Sequence, residues 1–323
     1  MPNPKGEDHF KGLFEYAPIS LWEEDYSGIK IFFDELSASG VTDLEKYLDE
    51  HPKEIVESMN RIKVTRVNTE TLRMFGAGTE TELLSNLDKI FRDEMRAHFR
   101  AELMSLWNGE TGWSGDGINY RLDGEALYIR LHWRILPECE SNWECVLVSI
   151  EDITARKKAE DYLRYLGTHD VMTGLYNRAY FEEALQKFEN HRVDPISVII
   201  LDLNGLKETN DNLGHHAGDS LIRRAGEVLK ASIEDDQVAA HIGGDEFAIV
   251  LRESNKEDAQ AAMDRIHSLV AMNNKYYHDP ELSLSMGEAT SEPGLSLEKV
   301  ISLADDAMYR NKGHYHRRRK EDN

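Results

Sequence analysis

One stretch constrains this chain more than any other: HIGGDEFAIVL, His241–Leu251, which sets two adjacent carboxylates, Asp245 and Glu246, at the tip of a Gly-Gly turn. Apolar runs flank the turn on both sides, Val238–Ile242 and Phe247–Leu251, and this arrangement predicts a β-hairpin. Gly243 and Gly244 permit positive φ and carry no side chain to obstruct a closely approaching ligand. Buried strands seldom bend around two acids without a reason, so the turn is expected to bring negative charge close to something.

A third acid joins them if the hairpin has the right neighbour. PISVIILDL, Pro195–Leu203, is a continuous apolar run, the mark of a central strand buried on both faces. Asp202 stands at its C-terminal end, where open α/β sheets bind ligands. If that strand lies beside the hairpin, Asp202 and Asp245 converge, and two carboxylates ~4 Å apart repel by ~4 kcal/mol at an effective dielectric of ~20. A cation removes the penalty, and oxygen ligands without a Cys or His cluster suit Mg²⁺ or Mn²⁺. Lys207 offers a compact positive charge for phosphate. Asn210 and Asp219 can read a purine edge, although Asp219 equally reads as an acid in the first turn of a helix. Gly214 and Gly218 allow tight backbone around a ligand.

The length, 323 residues, suggests two domains. Residues 1–10 read as a loose polar tail. Residues 11–154 read as α+β: helical periodicity between Ile29 and Ile62 and again from Thr69 to about Gly109, then alternation. In that alternation Leu127, Ile129, Leu131, Trp133 and Ile135 face one way, Asp123-Gly124 predicts a type I′ turn, and Trp143–Ile150 predicts a further strand. Residues 155–168 form a linker helix with a stripe of Ile153, Ala159, Tyr162, Leu163 and Leu166, capped by Gly167, which either pairs with a second copy or docks on its own chain. Residues 169–318 alternate strands with helices, predicted at Arg178–Phe188, Asp219–Ile233, Lys256–Val270 and Leu297–Arg310, around a mixed sheet. Residues 319–323 are a tail. The formal net charge of -22 and pI near 5.0 exclude nucleic acid and an anionic membrane surface as partners. With no run of ~18 apolar residues, no membrane insertion is expected and the cytoplasm is the default. There, Cys139 and Cys145 are expected to be reduced, and His51, His98 and His132 read as surface or satisfied histidines.

The order of elements in the first domain, Asn68 before a helix ending near Gly76, and the closing EDIT of Glu151–Thr154 followed by ARKKAE together resemble a PAS sensor domain. In the second, TGLYNR (Thr173–Arg178), LDLNGLKETNDNLGHHAGD (Leu201–Asp219) and GGDEF (Gly243–Phe247), in this order and spacing, resemble the GGDEF family of bacterial diguanylate cyclases. That resemblance implies a fold similar to a polymerase palm or nucleotidyl cyclase. It implies two Mg²⁺ (or Mn²⁺) ions per site held by Asp202, Asp245 and the backbone carbonyl of Leu203. Lys207 and Lys312 would contact phosphate, Asn210 and Asp219 would read guanine, and Gly243 and Gly244 would border the nucleotide. Glu246 would assist deprotonation of the ribose 3′-hydroxyl or complete the metal site. The implied reaction joins two GTP into cyclic di-GMP with release of two pyrophosphates. It needs a homodimer, assembled through the PAS domain and linker, and the PAS ligand stays unnamed. The alternative is a catalytically silent GTP-binding signalling module.

The chain departs from the family pattern at four places. Asn204 replaces a frequent second acid, and His241 stands where an arginine often precedes the turn. His316 occupies the position of an expected arginine, with Arg317 and Arg318 beside it as substitutes or as a solvated basic tail. The RxxD product-inhibition motif reads EDDQ, Glu234–Gln237, so no feedback inhibition of that kind is expected.

Overall fold

The computed structural model describes residues 4–92, 95–191, 195–234 and 236–321, excepting the side chains of residues 4–8, 10, 96, 97, 314–316 and 318–321. It divides into two compact units, Met1–Glu160 and Asp161–Asn323.

In the first unit α1 (Pro4–Glu15) leads into β1 (Ser20–Asp25), α2 (Ser27–Ala38), α3 (Leu44–Glu50), α4 (Lys53–Met59) and β2 (Lys63–Val67). Then follow α5 (Thr69–Phe75), α6 (Glu80–Leu84), α7 (Leu87–Ile90) and α8 (Met95–Trp107), and finally β3 (Gly112–Tyr120), β4 (Ala126–Ile135) and β5 (Val146–Asp152). The strands make one antiparallel sheet in the order β2-β1-β5-β4-β3. Alternation on β4 is as the sequence spaced it, with Leu127, Ile129, Leu131, Trp133 and Ile135 buried. Trp22, Phe75 and Ile29 complete the core from β1 and the helices. Asn68, fully buried, ties the layers together: its Oδ1 accepts from the Leu21 and Thr71 amides, and its Nδ2 donates to the carbonyls of Phe14 and Ile19. Gly76 closes α5 at φ 71°, a left-handed cap that favours glycine.

Several expectations need correction here. Residues 4–10, read as tail, belong to α1. The β3–β4 connection is not type I′, since Asp123 does not take positive φ. Hydrogen bonds between Arg121 and Glu125 and a left-handed Gly124 make it a bulged loop. Cys139 and Cys145 are joined as a disulfide rather than reduced, because a 3₁₀ turn at Pro137–Cys139 folds the segment back and brings their Cα atoms to 5.5 Å. The linker helix α9 (Thr154–Thr168) runs through Gly167 instead of stopping at it, and none of its residues is buried. Its first turn belongs to the first unit. There Ile153 N–H bonds the Tyr128 carbonyl, and Thr154 Oγ1 accepts from the Tyr128 amide.

The second unit continues with β6 (Tyr176–Asn177), α10 (Arg178–Asn190), β7 (Ser197–Leu203), α11 (Leu206–Leu213) and α12 (His215–Ser232). It ends with β8 (Val238–His241), β9 (Glu246–Leu251), α13 (Lys256–Tyr276), β10 (Leu284–Thr290) and α14 (Leu297–Glu321). The sheet order is β10-β7-β9-β8-β6, antiparallel except for the short β6–β8 pair. Every residue of β7 is buried, as a strand covered on both faces requires. One apolar layer, with Leu221, Ala225 and Ile266, covers one face; another, with Phe181, Leu185 and Val300, covers the other. Sequence periodicity did not mark α11, and α14 extends to Glu321, beyond the expected end at Arg310 and through the start of the expected tail. Residues 322–323 lie outside the described residues.

At Gly287 the edge strand β10 and α14 touch backbone to backbone. A Cβ there would lie 2.0 Å from the Met308 nitrogen and 2.4 Å from the Ala304 carbonyl oxygen. Neither backbone atom can turn aside, so Gly287→Ala is expected to lower the unfolding free energy of the second unit by about 3 kcal/mol or more, read by urea denaturation.

Candidate active site

Three segments build the site: the end of β7, the β8–β9 turn and the last helix. β7 lies beside β9, as the sequence argument required, and the register sets Asp202 directly opposite Glu246. The Leu203 amide donates to the Asp245 carbonyl at 2.8 Å, closing the ladder at the turn. Opposed residues of an antiparallel pair share a face, so Asp202 and Glu246 project to the same side while Asp245 ends the turn. Asp202 is 4% exposed, Asp245 half-buried and Glu246 exposed.

The glycines serve the turn differently from expectation. Neither Gly243 nor Gly244 takes a positive φ. Gly243 is needed for space: a Cβ would stand 2.7 Å from Glu246 Oε2, because the Glu246 side chain folds back over the turn while its carbonyl accepts from the Ile242 and Gly243 amides. A Cβ at Gly244 would meet nothing within 4 Å, so that side of the turn is open.

Lys312 reaches the same place from α14. Its ammonium lies 2.6 Å from Asp202 Oδ2, with the carboxylate side chain 6% exposed and the lysine 28%. Sequence reasoning had assigned the two residues to different tasks and missed the contact. A cation thus already answers the charge of Asp202, and an oxygen-only donor set of this kind fits a hard divalent ion. Among the described residues no cluster of three or more His, Cys, Asp or Glu side chains is arranged for a metal. An ion here would therefore need the Leu203 carbonyl and oxygens from a bound ligand besides the carboxylates.

Asn204 shows why the neighbouring position is neutral. Its Nδ2 donates to Ser283 Oγ at 3.1 Å and its Oδ1 accepts from Ser285 Oγ at 2.9 Å, so the amide stitches the end of β7 to β10. On the next two helices Asn210 packs against Gly218, where a Cβ would fall 2.1 Å from Asn210 Oδ1. Asn210 Oδ1 is buried without a hydrogen-bond partner, and Asp219 follows directly on α12. That helix starts at His215, so Asp219 lies a full turn inside it rather than in the first turn as an end-of-helix acid. Lys207 is exposed in the first turn of α11.

His241 and the TGLYNR segment form a fastening that sequence reasoning did not find. His241 Nδ1 lies 3.0 Å from Asp170 Oδ1 while its ring stacks on Phe247, inside the hairpin. Burial tends to raise the Asp170 carboxyl, but bonds from the Thr173 hydroxyl and amide, with His241, outweigh it and leave it below the usual range. Asn177 caps α10 and donates to the Gly167 carbonyl at the end of α9. Arg317 Nε donates to Gly313 O on its own helix, whereas the His316 and Arg318 side chains and Asp235 of the EDDQ segment lie outside the described residues. Removal of the ammonium takes the cation at 2.6 Å away from a buried carboxylate, so Lys312→Met is expected to lower stability by ~1–3 kcal/mol. Adding Asp202→Asn should recover much of that loss, as a double-mutant cycle by urea unfolding would measure.

The family described as "Diguanylate cyclase, GGDEF domain" matches residues 167–318. The diguanylate cyclase DosC of Escherichia coli K12 is 32% identical over 163 residues, 48% of this chain and 35% of that protein. PdeR of the same strain, a cyclic di-GMP phosphodiesterase, is 33% identical over 189 residues, 58% of this chain and 29% of that protein. This chain therefore spans about a third of the length of these relatives. Among solved structures, the coiled coil and GGDEF domain of DgcB from Caulobacter crescentus, in complex with c-di-GMP, aligns at a TM-score of 0.45 and 25% identity, over 50% of this chain and 89% of that one. With the GGDEF turn, its paired strand and the matched span in agreement, residues 167–318 are a GGDEF domain homologous to those of diguanylate cyclases.

Proposed function

We propose that the second unit is a diguanylate cyclase that condenses two GTP into cyclic di-GMP and two pyrophosphates. The observation that carries this reading is the register of β7 on β9, which sets the buried acid Asp202 opposite Glu246 and beside the Asp245 turn. Mg²⁺ or Mn²⁺, two per site and held by Asp202, Asp245 and the Leu203 carbonyl, supplies Lewis acidity when bound. Glu246, exposed and folded over an open glycine turn, takes the proton of the ribose 3′-hydroxyl or completes the ligand set. Lys207 and Lys312 bind phosphate, and when phosphate arrives Lys312 exchanges one anionic partner, Asp202, for another. Asn210 and Asp219 read guanine, and the buried, unpaired Asn210 oxygen is the kind of acceptor a nucleobase N–H would satisfy.

One such domain binds one GTP, so two must face each other. The stripe on α9 supports a dimer, since Tyr162 and Leu163 are exposed and nothing on that helix is buried. The antiparallel sheet of the first unit, with four helices between β2 and β3 and the Asp152–Thr154 turn closing it, supports reading that unit as a PAS sensor controlling how the pair assembles. Linked domains gain effective concentration, which gives a signal a direct route to rate.

Purified protein incubated with GTP and Mg²⁺ is expected to yield cyclic di-GMP on chromatography, and Asp245→Ala and Glu246→Ala are each expected to lower the initial rate at least ~100-fold. If neither the full chain nor a fragment from Asp152 fused to a dimeric coiled coil consumes GTP, the silent GTP-binding module replaces the cyclase.

A further inference from the structure

The first unit contains a cavity of about 490 Å³ between the inner face of its sheet and helices α4, α7 and α8, within the ~300–1,000 Å³ usual for small-molecule sites. Its walls are apolar, with Met59, Leu87, Phe91 and Phe99 among them, yet two acids, Glu24 and Glu102, also line it. Each acid occupies a position that a core would fill with a hydrophobe. Glu24 follows Ser20 and Trp22 on the buried side of β1, and Glu102 lies among Phe99, Leu103 and Leu106 on α8. They are 8% and 2% exposed.

Among the described residues, the groups facing these acids do not account for them. The Tyr26 hydroxyl bonds Glu24. His98, one turn before Glu102, brings Nδ1 to 3.2 Å of Glu102 Oε1 but too poorly aligned to hydrogen-bond, and that oxygen has no hydrogen-bond partner. The Trp133 indole N–H also points toward Glu102. At the rim Asp88 is exposed, and the Arg92 guanidinium is stacked over the Tyr120 ring, 3.9 Å from its centre. Burial raises Glu102, and burial with the nearby Glu102 charge pushes Glu24 up to about 8 against the bond from Tyr26. A buried acid without a full set of partners is destabilising, and two in one cavity call for a cation.

An uncharged ligand could donate a hydrogen bond to one acid but would bring no charge to offset the pair, and an anion would be repelled. A bare metal ion finds too few oxygens, since among the described residues no three His, Cys, Asp or Glu side chains converge as a metal site. We propose that this cavity binds a small organic amine, its ammonium between Glu24 and Glu102 and its apolar body against Met59, Leu87, Phe91 and Phe99. Binding displaces the Glu24 carboxyl proton to the buffer. The amine arrives as R–NH₃⁺, the site becomes an ammonium–carboxylate pair, and one proton is released per ligand bound. Amine affinity therefore rises with pH below about 8, roughly tenfold per unit where one proton is linked. The exposed carboxylate of Asp88 at the rim favours entry of a cation.

Calorimetric titration of the full-length protein with phenethylamine, tryptamine and hexylamine, against 2-phenylethanol as the uncharged isostere, tests this. At least one amine should bind tenfold or more tightly than the alcohol, with an enthalpy at pH 7 that changes between phosphate and Tris as release of one proton requires. Glu24→Gln, and separately Glu102→Gln, should weaken the amine about tenfold and leave the alcohol unchanged. The proposal is overturned if no amine binds, if the alcohol matches the amines in wild-type protein, or if no proton is released. The wild-type comparison stands even if a variant fails to fold.

Discussion

A carboxylate at the end of a strand buried on both faces is the constraint on which the second unit turns. Asp202 is the one acid in β7, and the low polarity around it makes an uncompensated charge expensive. Three features answer that cost. The antiparallel ladder fixes β9, and with it the acid-bearing turn, at one register. The amide of Asn204 absorbs two serine hydroxyls instead of adding a second charge, and α14 delivers an ammonium. The ammonium that makes Asp202 tolerable in the fold is also the group that the proposed GTP phosphates would draw away from it.

Much of this was legible in the sequence because the relevant signals are local. An unbroken apolar run ending in Asp202 indicates a strand covered on both faces, and apolar runs around Gly243-Gly244 indicate a hairpin. Asn68 and Gly76 bracketed α5 because a side-chain cap and a left-handed residue are local requirements. What could not be read came from long-range pairing. The Lys312–Asp202 contact joins residues 110 positions apart, and no periodicity reveals it. His241 looked like a missing arginine until Asp170 was found across from it. The role of Gly243 was misassigned because sequence suggests backbone freedom, whereas the turn needs room for the side chain of Glu246. The disulfide was missed because compartment was allowed to outweigh a six-residue spacing that a 3₁₀ turn closes easily.

The two units place acids in their interiors on different terms. In the GGDEF domain the buried acid has a lysine, a ladder and an open turn around it. In the first unit Glu24 and Glu102 have a tyrosine, a histidine and an indole N–H, none of which carries a fixed positive charge. Ser20, Trp22 and Glu24 share the buried face of β1, and a polar residue on such a face becomes informative only when a cavity lies in front of it.

The hydrogen bonds of Asn204 also bear on which substitutions the site can accept. β10 is the edge strand of its sheet, and Ser283 and Ser285, at its start, each take one half of the Asn204 amide. An aspartate at 204 would keep the acceptor and lose the donor, adding a second buried negative charge beside Asp202 with Lys312 as the nearest cation described. The neutral amide at the end of β7 is thus tied to the serines of a neighbouring strand. A change from Asn204 to an acid would leave both serine hydroxyls able to turn and donate to it, so the added charge beside Asp202, and not a lost hydrogen bond, is what opposes that change.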